Sequence, residues 1–271
     1  MSEILTASPA GTARSAIVTG GAGGIGRVVS ERLAHAGYRV VVADASAAAA
    51  EAVAAALPAG HGTHRAVAGD LTTVEANRTA VAVARDLGTL SVLVNGVGIS
   101  PKDDGRKRPF FDVTPEEWDL VLAVNVKAPL LLVQEAFRHM PSDGSASIVN
   151  ILSIVSKWGT GGLPSDTFPP FLPSSVAYAA SKGALQNLTA SLSRELSSFR
   201  IRVNGVAPGF VQTQMTGGMP QQEAAQMTGQ IPMGRFARPD EIADAIEFLV
   251  GPRASYITGA SLDVNGGALT C

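Results

Sequence analysis

Tyr178 and Lys182 carry the two side chains whose spacing most directly suggests chemistry. They lie four positions apart, so on a helix the phenol and the ammonium share one face. A free tyrosine titrates near pH ~10 and is a poor base at neutral pH, but a nearby positive charge favours its phenolate. Such a pair can pass a proton to or from the oxygen of a carbonyl or an alcohol. The same spacing also occurs by chance on many helices, so it requires support from elsewhere in the chain.

A glycine-rich turn near the start of the chain suggests a site for phosphates. It reads Thr19-Gly20-Gly21-Ala22-Gly23-Gly24-Ile25-Gly26 and lies between a predicted strand and a predicted helix. Glycines let the backbone approach a pyrophosphate closely, and the helix N-terminus supplies unpaired N–H groups. Purely structural turns use glycine as well, so the turn indicates a nucleotide site only in combination with other features.

Asp44 ends the second predicted strand, twenty positions after Gly24. A carboxylate at this place can accept hydrogen bonds from an adenosine ribose, and its charge repels a 2′-phosphate. Neither Ala45 nor Ser46 is basic, so the sequence predicts NAD in preference to NADP. The alternative is that Asp44 caps the next helix, and one carboxylate can serve both purposes.

In order and spacing these features resemble the short-chain dehydrogenase/reductase family, from about Ser15 to the C-terminus. The glycine turn is similar to that family's T-G-x-x-x-G-x-G cofactor loop, and Tyr178 and Lys182 are similar to its Y-x-x-x-K motif. The other matching positions are Asp70 and Leu71 after the third strand, Asn95 and Gly96 after the fourth, Asn125, Ser153, Pro208 and Gly209 after the sixth, Val211 and Thr213.

The resemblance implies roles for these residues. The implied catalytic residues are Asn125, Ser153, Tyr178 and Lys182. Ser153 would hydrogen-bond the substrate oxygen, Lys182 would also bind the nicotinamide ribose, and Asn125 would hold a water that relays protons. The implied cofactor-binding residues are Gly20, Gly24, Ile25, Gly26, Asp44, Asp70, Leu71, Asn95, Gly96, Tyr178, Lys182, Pro208, Gly209, Val211 and Thr213.

The function implied by the resemblance is an NAD(H)-dependent oxidoreductase. It would interconvert a secondary alcohol and a ketone by hydride transfer, with Tyr178 as general acid or base. Reduction of a 3-oxoacyl thioester and a non-catalytic nucleotide-binding sensor on the same fold are the alternatives. A methyltransferase can also combine a glycine turn with an acidic residue, but it has no use for the tyrosine and lysine.

Three departures from the family pattern concern the predicted site. Gly96 and Val97 replace the usual asparagine and alanine, for which we expect altered packing and retained activity. Leu152 stands where a serine often precedes the catalytic one, which favours Ser153 and leaves nearby Ser156 as a rival. Ser153 and Tyr178 are also farther apart than is usual, which indicates an insertion between them.

The elements that must position these residues alternate between strands and helices. Strands are predicted over 15–19, 39–43, 64–68, 90–94, 147–152, 201–206 and 261–264, and helices over 24–36, 45–57, 73–87, 176–198 and 239–250, with a further helix starting at Thr114. This alternation predicts the α/β class: one Rossmann-like domain, 15–271, with a doubly wound parallel sheet and helices on both faces. We expect a flexible segment over 1–14, an inserted substrate loop over 159–175 and a substrate lid over 209–231.

Composition excludes several classes of partner. The chain has 271 residues, of which 46% are hydrophobic, and a net charge of −2, which gives no reason to expect nucleic acid. No apolar run approaches the roughly 20 residues of a membrane span, so we expect no membrane association. The only cysteine, Cys271, cannot form an internal disulfide, which indicates a reducing, cytoplasmic location. The four histidines lack metal-ligand spacing, so we predict no metal, and the family resemblance implies a homotetramer.

Overall fold

A computed structural model describes residues 13–103, 106–160, 174–213, 216 and 221–269. Most of the predicted N-terminal segment, 1–14, lies outside the described residues. So does most of the predicted inserted loop, 159–175, including both of its phenylalanines. The predicted lid, 209–231, is described except at positions 214–215 and 217–220.

Seven parallel strands form one sheet, in the order β3-β2-β1-β4-β5-β6-β7. The strands are β1 (Arg14–Thr19), β2 (Tyr38–Asp44), β3 (Arg65–Ala68), β4 (Thr89–Asn95), β5 (Ser147–Ile151), β6 (Arg202–Pro208) and β7 (Ser261–Val264). The strand order reverses direction at β1, as it does in a doubly wound fold. The predicted fold class is therefore confirmed.

Helices cover both faces of this sheet. They are α1 (Gly24–His35), α2 (Ala47–Ala56), α3 (Val74–Leu87), α4 (Pro115–Leu122), α5 (Ala128–Ala136), α6 (Val155–Trp158), α7 (Val176–Glu195), α8 (Gln221–Thr228) and α9 (Pro239–Val250). Three of them, α5, α6 and α8, were not predicted from the sequence. The helix predicted over 176–198 ends as an α-helix at Glu195 and continues as a 3₁₀ turn over Leu196–Phe199.

The sheet separates two apolar layers of the core. On one face Val18, Val42 and Val94 pack with residues of α1 and α9, including Leu33 and Ile246. On the other face the strands pack with residues of α3 and α5. Because both faces are covered, β4 and β5 are buried along nearly their whole length and not in alternate positions.

One helical stretch is long and apolar enough to meet the length of a membrane span, which the sequence analysis did not expect. A continuous run of helical residues, Pro115–His139, comprises α4, a π-helical turn, α5 and a 3₁₀ turn. By length and hydropathy alone it could cross a membrane, contrary to the prediction that no run approaches that length. Core helices of soluble proteins pass the same test, and α5 buries Leu132 and Val133 in the core beside the sheet. The apolar character of α5 is therefore explained by its packing.

The reversal of strand order creates the crevice in which a ligand can lie. β1 pairs with β2 on one side and with β4 on the other, so the connections leaving their carboxyl ends diverge. Thr19, the last residue of β1, joins the two ends, since its Oγ1 accepts hydrogen bonds from the N–H groups of Gly96 (3.1 Å) and Val97 (3.2 Å). The predicted site residues follow from these strand ends.

Candidate active site

A cavity of about 550 Å³ opens at the carboxyl ends of the strands, within the size range of small-molecule sites. Almost every predicted site residue lines it. These residues are Gly20, Gly24, Ile25, Gly26, Asp44, Asp70, Leu71, Gly96, Ser153, Tyr178, Lys182, Pro208, Gly209, Val211 and Thr213. The two predicted residues that do not line it are Asn95 and Asn125. The fold therefore brings residues that are far apart in the sequence together around one cavity.

The glycine turn is closely packed against the loop after β4. Gly20 has φ +60°, and a Cβ at that position would lie 2.8 Å from the carbonyl oxygen of Gly96. Gly24 is similarly close to Thr213, with 2.7 Å between its hypothetical Cβ and the threonine methyl. The N-cap of α1 is Gly23, which has no side chain to satisfy the first N–H groups of the helix. The turn therefore presents unpaired donors to the cavity, as an anion site requires.

Asp44 is held in place by the backbone on both sides. Its Oδ2 accepts a hydrogen bond from the N–H of Ala22 (3.1 Å), and its Oδ1 accepts one from the N–H of Ser46 (3.2 Å). The N-cap of α2 is Ser46, so the alternative that Asp44 caps this helix is wrong. A carboxylate has about four acceptor positions, so both oxygens keep capacity for a further donor.

Asp70 lines the same cavity as Asp44 and follows β3, whose last residue pairs with Asp44. Its Oδ1 accepts hydrogen bonds from the hydroxyl (2.7 Å) and the N–H (2.9 Å) of Thr72. These bonds hold the pKa of the Asp70 carboxyl below its usual value. Asp70 is therefore a fixed anion, and the adjoining Leu71 supplies a buried apolar surface beside it.

Tyr178 and Lys182 share the inner face of α7, as their spacing predicts. The helix starts at Ser175, whose Oγ accepts a hydrogen bond from the N–H of Tyr178 (3.3 Å), so the phenol is fixed in the first turn. The Nζ of Lys182 lies 5.8 Å from the centre of the Tyr178 ring. It donates a hydrogen bond to the carbonyl oxygen of Ile151 (2.7 Å), at the end of β5.

Burial determines the pKa values of this pair. Enclosure raises the pKa of the Tyr178 phenol, and a hydrogen bond with Ser153 opposes that rise. Burial also lowers the pKa of Lys182 to about 8, because the side chain is 3% exposed and its charged form loses hydration. The expectation that the ammonium makes the phenol more acidic is not met in the protein alone. Desolvation is the largest cause of the shift, and it raises the pKa of the phenol.

Ser153 and Ser156, the two candidates for the catalytic serine, differ in their hydrogen-bond partners and in whether they line the cavity. Ser153 lines the cavity and hydrogen-bonds the phenol of Tyr178. Ser156 does not line it, because its Oγ bonds the carbonyl oxygen of Ser153 (2.6 Å) and the side-chain oxygen of Gln186 (2.5 Å). Only Ser153 is thus placed to touch a molecule bound beside Tyr178.

Asn125 lies behind the cavity wall and not in it. It is fully buried in the π-helical turn Ala123–Lys127. Its amide bonds both backbone groups of Ile99, accepting from the N–H (2.8 Å) and donating to the oxygen (3.0 Å), and also bonds the hydroxyl of Ser181 (2.9 Å). Such π turns are frequent at functional sites. Here the turn ties the loop after β4 to α7, and the predicted water relay stays a prediction.

Asn95, a predicted cofactor contact, is not among the residues that line the cavity, and its predicted role stays a prediction. Its side chain is buried within the sheet and donates a hydrogen bond to the Oδ1 of Asn150 (2.8 Å), its register partner on β5. Asn150 in turn donates to the hydroxyl of Thr189 on α7 (2.8 Å). Asn95 therefore joins the sheet to the helix that carries Tyr178, and its side chain does not reach the cavity.

Sequence reasoning missed several residues of the site, of which Ser181 and Gly98 contact the predicted catalytic residues. Ser181 donates a hydrogen bond to the carbonyl oxygen of Tyr178 (2.7 Å) while it also bonds Asn125, and its place directly before Lys182 was the available signal. Gly98 lies beside polar side-chain atoms of Lys182 and Asn125, and its lack of a side chain leaves space for them. A Cβ there would lie 3.4 Å from the Nζ of Lys182 and 3.5 Å from the Oδ1 of Asn125.

Comparison with known proteins agrees with this geometry. A family model described as enoyl-(acyl carrier protein) reductase matches residues 20–269. The chain is 35% identical to a cis-4-hydroxycyclohexanecarboxylate dehydrogenase of Sinomonas cyclohexanicum, over 94% of this chain and 96% of that one. It is 38% identical to a (3R)-3-hydroxyacyl-CoA dehydrogenase of Canis lupus familiaris, over 93% and 95%. A crystal structure of a 3-oxoacyl-[acyl-carrier protein] reductase from Brucella melitensis superposes with a TM-score of 0.83 at 28% identity, covering 94% of this chain and 90% of that one.

Proposed function

Since the chain belongs to the short-chain dehydrogenase/reductase family, we propose that it interconverts a secondary alcohol and a ketone with NAD(H). The family assignment confirms the predicted resemblance, an oxidoreductase function and a nicotinamide cofactor. The observation that carries the finer proposal is a single cavity wall that joins Ser153, Tyr178 and Lys182 to the glycine turn and Asp44.

The fit of a dinucleotide rests on the shape and charge of the chain. The backbone around Gly20 is so close to Gly96 that no side chain fits, and the uncapped N-terminus of α1 faces the cavity with its N–H groups. Asp44 and Asp70 line the same cavity, and the carboxylate of Asp44 suits ribose hydroxyls and opposes an additional phosphate. These features support NAD over NADP.

Tyr178, Ser153 and Lys182 would each have a separate role in the proton transfer. A bound nicotinamide would supply or accept the hydride. The ordinary pKa of a phenol, ~10, already keeps Tyr178 protonated at neutral pH, and burial raises that pKa further, so Tyr178 would donate its proton to the ketone oxygen during reduction. Ser153 would hold that oxygen by a hydrogen bond, and Lys182 would orient the ribose and stabilise the phenolate left behind. In the oxidation direction Tyr178 must first lose its proton, so alcohol oxidation should be favoured by higher pH.

Two alternative functions remain, a 3-oxoacyl thioester reductase and a nucleotide-binding sensor. The relatives named for 3-hydroxyacyl-CoA and 3-oxoacyl-carrier substrates favour a 3-oxoacyl thioester reductase. The general occurrence of this fold in binding proteins keeps the nucleotide-binding sensor open.

One panel of assays separates the three functions. NADH and NADPH oxidation would be measured with simple ketones and with 3-oxoacyl thioesters, and NAD reduction with the matching alcohols. We expect turnover of simple ketones with NADH. Turnover of thioesters alone would favour the second function, and NADH binding without turnover of any compound would favour the sensor.

We also propose a homotetramer of closed symmetry, cytoplasmic and acting on a small molecule. Large apolar side chains are exposed on adjoining helices, with Trp118 at 39% and Leu120 at 53% on α4, and Val176 at 37% on α7. Exposed apolar surface of this kind is typical of subunit contacts. Light scattering at micromolar concentration tests the proposal, since we expect four times the chain mass, and a monomer would contradict it.

The single-domain organisation and the substrate-lid role of residues 209–231 likewise remain proposals.

A further inference from the structure

The five residues after β7, Asn265–Leu269, fold back on themselves as a fixed turn. The Nδ2 of Asn265 donates a hydrogen bond to the carbonyl oxygen of Leu269 (3.0 Å), and its Oδ1 accepts one from the N–H of Gly267 (2.9 Å). Gly266 and Gly267 have φ of +64° and +85°, a conformation that favours glycine. Asn265 is itself buried, at 8% exposure. One asparagine thus sets the path of the C-terminal turn.

Leu269 reaches the back of the substrate end of the cavity. It is 8% exposed and forms an apolar cluster with the buried Ile154 and Val155. Tyr178 and Phe210 pack against the same cluster. These four partners all line the cavity. Leu269 therefore supports the wall beside the catalytic phenol from behind.

The C-terminal turn and the last residue of β7 before it are also attached to the segments that flank this wall. The N–H of Gly209 donates to the carbonyl oxygen of Val264 (3.0 Å), and the N–H of Met233 donates to that of Gly266 (3.1 Å). Phe210 follows Gly209 directly, and its ring stacks on that of Phe236 with 5.3 Å between the centres. Because both sides are anchored, the wall cannot readily shift to fill a space left by Leu269.

We infer that Leu269 is a specificity-determining residue, which limits the size of the hydrocarbon group that the site accepts beside the reacting carbon. This inference rests on the proposed function and names a substrate class for it. The class is carbonyl compounds and alcohols with an aliphatic or alicyclic flank, since the supported wall consists of Ile154, Val155 and Phe210. A charged or strongly hydrated flank would lose its water against this surface without gaining a partner.

The test is a substrate profile across methyl ketones of increasing chain length. Leu269→Ala should raise the kcat/KM ratio of long to short ketones by about tenfold, the scale of discrimination for a methylene-sized change in an apolar pocket. The dissociation constant of NADH should stay unchanged. The matched control is Leu57→Ala, because Leu57 is also buried, at 7%, but lies in the core outside the cavity. We expect it to lower stability and leave the ratio as it is.

A binding measurement keeps this inference distinct from the proposed function. The NADH complexes of the wild type, Leu269→Ala and the milder Leu269→Val would be titrated with the same ketones, using NADH fluorescence. A shift of binding preference towards longer ketones, without turnover in any protein, would support the inference and contradict the proposed function. Identical profiles in the wild type and in whichever variant folds would overturn the inference, as would failure of the wild type to bind any ketone of the series.

Discussion

The buried ammonium of Lys182 should make the stability of the protein depend on pH. Its pKa falls from 10.5 in the unfolded chain to about 8 in the folded state. Because the folded pKa is the lower one, the lysine's contribution to stability is fully present above 10.5 and is lost as pH falls through about 8. Each pH unit between these values is worth roughly 1.4 kcal/mol, so stability should rise by about 2 kcal/mol between about pH 7.5 and 10.

Lys182→Met removes this titration and keeps an unbranched side chain of similar length. We expect the free energy of unfolding of the wild type to rise relative to that of the variant by about 2 kcal/mol over this pH range, as measured by urea denaturation. Loss of the hydrogen bond to Ile151 adds an offset that depends little on pH. Both proteins would be compared at one protein concentration, since any oligomer would shift the apparent stability.

A tyrosine phenol in the unfolded chain titrates near pH ~10, and burial raises the pKa of Tyr178 in the folded state, so this group also contributes to the pH dependence of stability. Making the same comparison in a Tyr178→Phe background removes that contribution from both proteins. If the two pH curves run parallel, with a constant difference in free energy of unfolding, the description of Lys182 as a cation destabilised by burial is refuted.

Two further predictions concern the cofactor end. The wild type should use NAD about tenfold better than NADP, or more, and Asp44→Ser should narrow or reverse that preference, because it removes the charge that opposes a 2′-phosphate. Equal kcat/KM for the two cofactors in the wild type would contradict this role. Gly96→Asn restores the residue usual in the family, but its Cβ would lie 2.7 Å from the carbonyl oxygen of Thr19, so we expect a loss of about 1–3 kcal/mol in urea denaturation. Gly60→Ala is the control, since no atom lies within 4 Å of its added Cβ, and an equal effect at both glycines would exclude the steric explanation.

Local patterns were sufficient to predict the sheet and much of the cavity wall. Buried parallel strands read as short apolar runs, and in this fold ligand-binding residues follow their carboxyl ends. Asp44 was found in this way, from its place at the end of β2, whereas Ser153, just after β5, was predicted from the family resemblance. Tyr178 and Lys182 were found from their helical spacing, which fixes which side chains share a face, together with the resemblance to the family's Y-x-x-x-K motif.

Side-chain direction and distant partners could not be predicted in the same way. Asn95 and Asn150 are 55 positions apart, and only the register of β4 with β5 makes them neighbours. The sequence also shows where a helix begins at Thr114 but not that helical residues continue through a π turn to His139. The approach of Leu269 to Ile154 likewise depends on the completed fold, because the chain between them contains two more strands of the sheet.

Whether Tyr178 transfers the proton is the central claim, and one substitution tests it. Tyr178→Phe removes only the phenol oxygen, so kcat for NADH-dependent ketone reduction should fall by at least about 100-fold while the dissociation constant of NADH stays nearly the same. Tyr256→Phe is the matched control, because Tyr256 is fully exposed and lies outside the cavity. We expect it to keep wild-type kcat. A Tyr178→Phe variant that retains most of its kcat would contradict the assignment.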